Sequence, residues 1–260
     1  MISIVLVTFN RLHLLKQCVQ NVLGKISPFT TEIIIWNNAS RDGTAEFLAS
    51  LCDPRIKVVQ NKENVGTNAY ALAFPLATGK YLIELDDDVI DAPQEWDRIL
   101  MQAIERIPGM GYLAADVIDD GKSKAAEIRY QIDAHRYTER EIEGYRVVDG
   151  PTGGWCSITT REVYDCVGGF EVNKNFTFWH EDGDFIGRVI EAGYGAALLG
   201  DVKVFHASGE AYSQDKDITD AKNSYYTYYY KWVKRRNAIR RIIDRIPVFS
   251  CLYAKWRPPQ

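Results

Sequence analysis

Tyr81-Leu82-Ile83-Glu84-Leu85-Asp86-Asp87-Asp88 is an apolar run that stops at three consecutive carboxylates. A short aliphatic run of this kind fits a strand buried in a sheet. Stacked carboxylates at its end fix negative charge at one point, and such charge is costly unless a cation neutralises it. Hard divalent cations such as Mg²⁺ and Mn²⁺ prefer oxygen ligands. An ion held by one or two carboxylates keeps coordination positions for phosphate oxygens. The stretch points to a metal-assisted reaction on a phosphorylated substrate; the plainer alternative is a solvated acidic turn.

Upstream, the pattern of strand, polar turn and helix repeats. Ile2 to Val7, Glu32 to Trp36 and Ile56 to Val59 are β-branched or aliphatic runs. Leu15, Cys18, Val19, Val22 and Leu23 recur at helical spacing, Thr44 to Leu51 reads as helix, and residues 67–77 are Ala-rich and helical. Repeated β-α units predict an α/β fold with a mostly parallel central sheet, joined by right-handed crossovers. Ligands in such sheets bind at the carboxyl ends of the strands, so the turns at Thr8, Asn37 and Asp86 are expected to converge on one crevice.

Downstream, Glu95 to Ile107 predicts a helix and Tyr112 to Val117 a strand. Residues 119–150 are polar and irregular. Pro151-Thr152-Gly153-Gly154-Trp155 is a glycine turn, Arg161 to Val167 a short helix, and Asp184 to Ala192 an amphipathic helix burying Phe185, Ile186, Val189 and Ile190. Ala196 to Leu199 and Val202 to His206 read as two strands. The expected organisation is a catalytic domain over 1–210, with a nucleotide-binding half (1–118) and an acceptor half (119–210), and a helical tail over 211–260.

The chain has 260 residues, is 46% hydrophobic and 25% charged, and carries a formal net charge of -4, which implies no nucleic-acid partner. Five cysteines at wide spacing, with no Cys-x-x-Cys pair, argue against a disulfide framework or zinc site and fit a cytoplasmic setting. Met1 to Val7 reads as a strand rather than a signal peptide, and no apolar run approaches the ~20 residues of a membrane span. The tail is different in character. Tyr225, Tyr226, Tyr228, Tyr229, Tyr230 and Trp232 precede a basic run from Lys231 to Arg257 opposed only by Asp244, with Ile239, Ile242, Ile243 and Ile246 interleaved. Basic amphipathic helices with aromatics lie on anionic membranes, so peripheral contact with the inner face of the cell membrane is expected. Packing of the aromatics on the catalytic domain is the other reading.

Three further groups bear on chemistry. Trp179-His180-Glu181-Asp182-Gly183-Asp184 places acids before a helix, where they complement its dipole; a carboxylate there is also suited to act as general base. His206 ends an apolar strand, and imidazole is a common ligand of divalent ions. Asn64-Val65-Gly66-Thr67-Asn68 is a turn into a helix whose amides suit a sugar or phosphate; it lacks dinucleotide and P-loop spacings.

The order Val7-Thr8-Phe9-Asn10-Arg11, Ile35-Trp36-Asn37-Asn38-Ala39-Ser40-Arg41-Asp42-Gly43-Thr44, Glu63-Asn64-Val65-Gly66, then Ala77-Thr78-Gly79-Lys80-Tyr81 into the aspartates resembles glycosyltransferase family 2. So do Thr152-Gly153-Gly154, Gly168-Gly169-Phe170-Glu171, and Glu181-Asp182-Gly183-Asp184 before Glu191-Ala192-Gly193-Tyr194. The resemblance spans roughly residues 2–210 and rests on number, order and spacing. It implies a GT-A (Rossmann-like) fold and an inverting transferase that uses a divalent metal, Mn²⁺ or Mg²⁺, and a nucleotide-diphosphate sugar, UDP-sugar being favoured. The acceptor would be a hydroxyl of a glycan or lipid-linked molecule. Position by position, it implies that Thr8, Phe9, Asn10 and Arg11 border the base, with Asn37 where the family usually has an Asp. Asn64 and Gly66 would lie near the nucleoside, Asp86 and Asp88 with His206 at the metal, and Asp87 at the ribose or donor sugar. Asp182 matches the catalytic base, with Glu181 beside it. Gly153 and Gly154 would border the donor sugar, and Trp155 and Trp179 the acceptor. A sugar nucleotidyltransferase or a silent sugar-nucleotide-binding module would share the sheet. The first should carry a glycine- and basic-rich loop after strand one, and the second should have lost Asp88 or Asp182.

Overall fold

A computed structural model describes residues 1–207 and a helix over 216–243, with side chains of that helix described at 220 and 223–235. The predicted boundary near residue 210, the side chains of Ile239, Ile242 and Ile243, the basic residues beyond Arg235, Ile246 and Cys251 lie outside the described residues. In chain order the elements are β1 (Ile2–Thr8), α1 (Leu12–Asn21), β2 (Thr30–Asn37), α2 (Thr44–Ala49), β3 (Ile56–Gln60), α3 (Ala69–Ala73), β4 (Tyr81–Asp86), β5 (Val89–Asp91), α4 (Trp96–Arg106) and β6 (Met110–Val117). There follow α5 (Lys124–Ala126), β7 (Thr138–Ile142), β8 (Tyr145–Asp149), β9 (Cys156–Thr160), α6 (Arg161–Cys166), α7 (Glu181–Glu191), β10 (Gly195–His206) and α8 (Lys216–Ile243).

One sheet runs β3-β2-β1-β4-β9-β6-β10-β8-β7, with β5 paired to β10. It is parallel across β3-β2-β1-β4 and between β6 and β10. Strand β9 enters antiparallel between β4 and β6, and the β7-β8 hairpin closes one edge. Side chains alternate across each strand. On β1, Ile2, Ile4 and Leu6 join the core under α1, α2 and α4, while Val5 joins the opposite core under α3, α6 and α7. The second core is aromatic: Phe170 meets Phe74 edge-on and stacks on Phe185, each at 4.7 Å.

Several elements differ from the sequence expectation for local reasons. The helix expected over 67–77 is broken into a 3-10 turn (Gly66–Asn68), the short α3 and a second 3-10 turn (Phe74–Leu76), because Pro75 has no N–H to continue the ladder. The two late strands are one strand, β10, whose register shifts between Leu199 and Lys203. Helix α7 begins three residues earlier than expected, which puts Glu181 and Asp182 in its first turn. Ile190, expected inside, is 43% exposed. The buried stripe runs through Phe185, Val189 and Ile186, and at about 100° per residue Ile190 falls just past its Ile186 edge, toward solvent. The four described cysteines are unpaired, and no described helix is long and apolar enough to cross a membrane.

The outer end of the parallel half is held by one carboxylate. Glu32, 4% exposed, accepts from Ser3 Oγ (2.5 Å), Thr78 N (2.8 Å) and Lys57 Nζ (2.6 Å). Burial raises its pKa, but Lys57, Ser3 and Thr78 outweigh this and hold it below the usual range. A depressed folded pKa adds stability above the unfolded value and loses it as pH falls through the folded one. Glu32→Gln is therefore expected to cost about 1–3 kcal/mol at pH 7, the scale of a lost charge-assisted bond. The deficit should shrink as pH drops below about 4, a comparison that urea titrations at the two pH values will make.

Candidate active site

Parallel packing of β2, β1 and β4 brings their carboxyl ends side by side: Thr8 is level with Asn37, and Val7 with Asp86. The loops beyond these ends are tied to each other. Thr8 O accepts from Asn38 N (2.9 Å). Asn10 Oδ1 accepts from Arg41 N (2.8 Å), and Asn10 N donates to Ser40 Oγ (3.0 Å). Asn37 spends its amide on Gln60 and Ser40, and Asn64 accepts from Asn38 Nδ2 and Gly66 N, both at 2.8 Å. Four of the residues singled out for the donor, Thr8, Asn10, Asn37 and Asn64, thus shape the loops, whereas Phe9, Arg11 and Gly66 line the cleft beside them. Asn38, which the sequence reading passed over for Asn37, lines it too. Its signal was its place one residue further beyond β2.

The acidic triplet turns the chain from β4 into β5. Leu82, Glu84 and Asp86 share the face toward α3, and Tyr70 of α3 donates to Asp86 Oδ1 at 2.8 Å. Pairing of β5 with β10 sets Val89 opposite His206, and Ala207 N donates to Asp88 O at 2.8 Å. This register carries His206 to the triplet across 118 residues of chain, with Nε2 3.0 Å from Asp88 Oδ1 and 3.6 Å from Asp86 Oδ2. Candidate ligand atoms of Asp86, Asp88 and His206 lie within 4.8 Å of one another. Burial disfavours a charged imidazole there, yet Asp88 and Asp86 raise His206 to about 10. Against its own burial, Asp88 is held well below the usual range by His206 and Arg11. Arg11 Nη1 is 2.9 Å from Asp88 Oδ2 and 3.0 Å from Asp87 Oδ1. Burial pushes Asp87 up to about 7 in spite of Arg11. Two carboxylates and an imidazole, converging where positive charge is already favoured, fit a hard or borderline divalent cation.

The glycine turn before β9 forms the floor. Asp86 N donates to Trp155 O (2.9 Å), while the Trp155 indole donates to Ala115 O (2.9 Å) and stacks on His206 at 6.0 Å. Trp155 is thereby fixed beside the metal-ligand group. Gly154 is needed for space: a Cβ would meet the Glu84 carboxyl at 2.4 Å. Its N–H donates to Asp182 Oδ2 (3.1 Å), and Gly183 N donates to Oδ1 (2.7 Å). The opening of α7 thus holds Asp182 against the glycine turn, with the positive end of the helix behind it. Burial, then the charges of Asp86, Glu181 and Asp182, pushes Glu84 well above the carboxylate range, and burial and Asp182 do the same to Glu181. Both favour the neutral form, which limits repulsion of an anionic ligand.

The loop before α7 is pinned from below. Thr67 N donates to Thr177 O (2.8 Å), and the Trp179 indole donates to Asn68 Oδ1 (3.0 Å). Gly66, at φ +61°, has no room for a Cβ, which would lie 1.9 Å from Thr177 O. From above, α8 covers the same loop: Tyr225 and Tyr228 pack on Phe176, and Tyr229 stacks on His180 at 5.0 Å. Part of the tail's aromatic cluster is therefore cleft wall, while Tyr228, Tyr230 and Trp232 remain 46–59% exposed. The cleft measures about 640 Å³, and Arg11, Asp86, Trp155, Asp182 and His206 all line it. Tyr70 and Tyr226 were missed from sequence because each is an ordinary residue for its element, whereas Glu84 did carry a signal, a lone acid inside an apolar strand, and it lies buried against Gly154.

The family model described as "Glycosyl transferase family 2" matches residues 3–168. A curated relative, the uncharacterized protein y4gI of Sinorhizobium fredii, is 23% identical over 252 residues, covering 91% of this chain; the chain spans 27% of that protein's length. Among solved structures, a mannosyltransferase from Pyrobaculum calidifontis in complex with GDP-Man and Mn²⁺ aligns with TM-score 0.60 at 16% identity, over 80% of this chain and 57% of its own. GalNAc-T7 with UDP, GalNAc and Mn²⁺ aligns at 0.62 and 15% identity, over 79% and 43%. S. aureus TarS 1-349 with UDP-GlcNAc aligns at 0.59 and 13% identity, over 82% and 61%. At these identities the likeness is one of fold, the GT-A arrangement of a mixed sheet flanked by helices. With its glycine turn, acidic triplet and strand ends falling inside the matched 3–168, the chain belongs to glycosyl transferase family 2.

Proposed function

We propose that the protein is an inverting glycosyltransferase that moves a sugar from a nucleotide-diphosphate donor to a hydroxyl of a glycan or glycolipid precursor. The observation that carries this reading is one cleft lined by Asp86 and His206, which group with the buried Asp88, and by the Asp182 carboxylate. Asp86, Asp88 and His206 would hold Mn²⁺ or Mg²⁺, which when bound offsets negative charge growing on the diphosphate as it leaves. Arg11 adds a second positive charge at the same end. Phe9, Asn38 and Gly66 flank the nucleoside, whereas Asp87, 1% exposed and paired with Arg11 at 3.0 Å, is shut off from the ribose and acts through Arg11. Asp182, oriented by two backbone N–H groups, accepts the proton of the acceptor hydroxyl. That oxygen bonds the anomeric carbon as the bond to the diphosphate breaks, from opposite faces, so configuration inverts.

Neighbours of the same fold hold UDP, UDP-GlcNAc or GDP-Man, so both nucleotides enter the test. Calorimetry should give Mn²⁺-dependent binding of UDP or of GDP, followed by slow hydrolysis of one member of a nucleotide-sugar panel. Absence of both, in protein that is folded by circular dichroism, would sink the reading. Nucleotidyl transfer is not favoured, since the loop after β1 carries Phe9 and Asn10 where glycines are wanted.

Peripheral membrane contact belongs to the same proposal. Exposed Tyr228, Tyr230 and Trp232 sit on α8 with exposed Lys231, Lys234 and Arg235, a composition suited to anionic headgroups. Reversing Lys231, Lys234 and Arg235 to Glu is expected to reduce sedimentation with phosphatidylglycerol vesicles by at least roughly ten-fold, at about 1 kcal/mol per basic residue. Equal sedimentation of both proteins would refute the contact.

A further inference from the structure

Beyond Asp182 the cleft changes character. Tyr226 of α8, Phe178 of the loop before α7 and Tyr137, just before β7, all line it there. None of them belongs to the metal-ligand group or to the loops beyond β1 and β2. The Tyr226 ring is built in rather than loose. His180 meets it edge-on at 5.3 Å, and Tyr230 stacks on it at 6.1 Å. His180 is itself enclosed by Tyr225 at 5.4 Å and Tyr229 at 5.0 Å, so α8 and the loop that leads into Asp182 form one aromatic block. Tyr226 and Asp182 line the same cleft, and burial, then the charge of Asp182, raises the Tyr226 phenol above its ordinary pKa.

The opposite wall is also fixed. Tyr137 lies over the Arg129 guanidinium at 4.3 Å, and Arg129, 7% exposed, pairs with buried Asp116 at 3.5 Å. The chemistry between these walls selects a ligand class. Phosphate or carboxylate would face the Asp182 carboxylate, and Lys124, which also lines the cleft, is already engaged by Glu127 at 2.7 Å. Aromatic faces are electron-rich and favour polarised C–H edges over anions. The C–H face of a pyranose meets that need, and its rim of hydroxyls gives Asp182 a proton to take.

Building on the transfer reading, we infer that Tyr226, Phe178 and Tyr137 form the acceptor subsite, and that it takes a neutral saccharide ring stacked on Tyr226 with one hydroxyl toward Asp182. The ring is supplied either by a free oligosaccharide or by a glycolipid headgroup.

Saturation-transfer NMR tests this on the full chain with Mn²⁺ and whichever of UDP or GDP binds. The probes are aryl glycosides of gluco, galacto and manno configuration, and the matching octyl glycosides. Ring protons of at least one configuration should receive saturation from the wild type. That saturation should fall roughly five-fold in Tyr226→Ala, the scale of a lost aromatic stacking contact, and persist in Tyr226→Phe. Nucleotide affinity by calorimetry should stay within about two-fold in both variants, a change too small to reflect a lost binding contact; this also shows that they fold. Aryl and octyl forms responding alike indicate a free saccharide, whereas response of the octyl forms alone indicates a glycolipid headgroup; either supports the subsite. Ring saturation absent from nucleotide-bound wild type, or unmoved by Tyr226→Ala, overturns the inference and leaves transfer standing. If neither nucleotide binds the wild type, the transfer reading fails first and takes the inference with it.

Discussion

Asp182→Asn is expected to lower transfer by about a thousand-fold, within the 10²–10⁴ range for losing a general base, while nucleotide affinity stays near the wild-type value. The substitution keeps the size of the side chain, and its amide oxygen can still accept from Gly154 N or Gly183 N. What it removes is the ability to take a proton. Because Asp182 stands apart from the Asp86–Asp88–His206 group, the diphosphate end should be undisturbed. Rapid-quench turnover with a saturating donor, beside calorimetry with UDP or GDP and Mn²⁺, separates the two effects. A variant that loses nucleotide affinity but turns over normally would remove Asp182 from the chemistry and assign it to the donor.

The second large effect is expected at the Asp86–Asp88–His206 group. Asp88→Ala removes one of three converging ligand groups and the partner of both His206 and Arg11. Loss of a residue that merely supports a metal ligand costs about 10–100-fold in affinity, so loss of a direct ligand should exceed a hundred-fold. Nucleotide binding should then become insensitive to Mn²⁺ up to millimolar concentrations. Titrating nucleotide with and without Mn²⁺ reads this directly. Full Mn²⁺ dependence in the variant would show that Asp88 is a structural anchor for Arg11 and that the cation sits elsewhere.

The parallel half of the fold was legible because β1, β2 and β3 are short apolar runs each followed by a polar turn and a helix, and β4 is an apolar run that ends at the acidic turn. Strands β1, β2 and β4 are almost wholly buried, which sets them apart from surface segments, while the edge strand β3 is half-exposed. The strand-end rule then located the cleft before any side chain was placed. What sequence left unread is of two kinds. One is register: nothing in Val89 or Phe205 announces that β5 lies antiparallel on β10, yet this pairing alone delivers His206 to Asp88. The other is the competition between ligand contact and loop construction. Asn10, Asn37 and Asn64 carry the chemistry of ligand binding, but in this fold their amides meet the needs of nearby backbone and Gln60. Tyr70 and Tyr226, unremarkable in sequence, line the cleft instead, and Asn38 does so while its amide, too, bonds Asn64, Gly66 and Val65.

The pairing of β5 with β10 also has a consequence for unfolding. Its two strands come from distant parts of the chain, and β10 precedes α8, whose Tyr225 and Tyr226 line the cleft. A cation shared by Asp86, Asp88 and His206 would act as a clasp across that seam, closing a loop of chain whose free ends would otherwise gain entropy on opening. Ion binding to the folded form alone also raises stability by mass action. Depleting the ion should therefore loosen the end of β10 before the rest of the sheet, and amide hydrogens around Val204 to His206 should exchange faster while those of β1 and β4 stay protected. An ion at Asp86, Asp88 and His206 would then serve twice, as positive charge at the cleft and as the pin that holds the last strand of the sheet to the acidic turn.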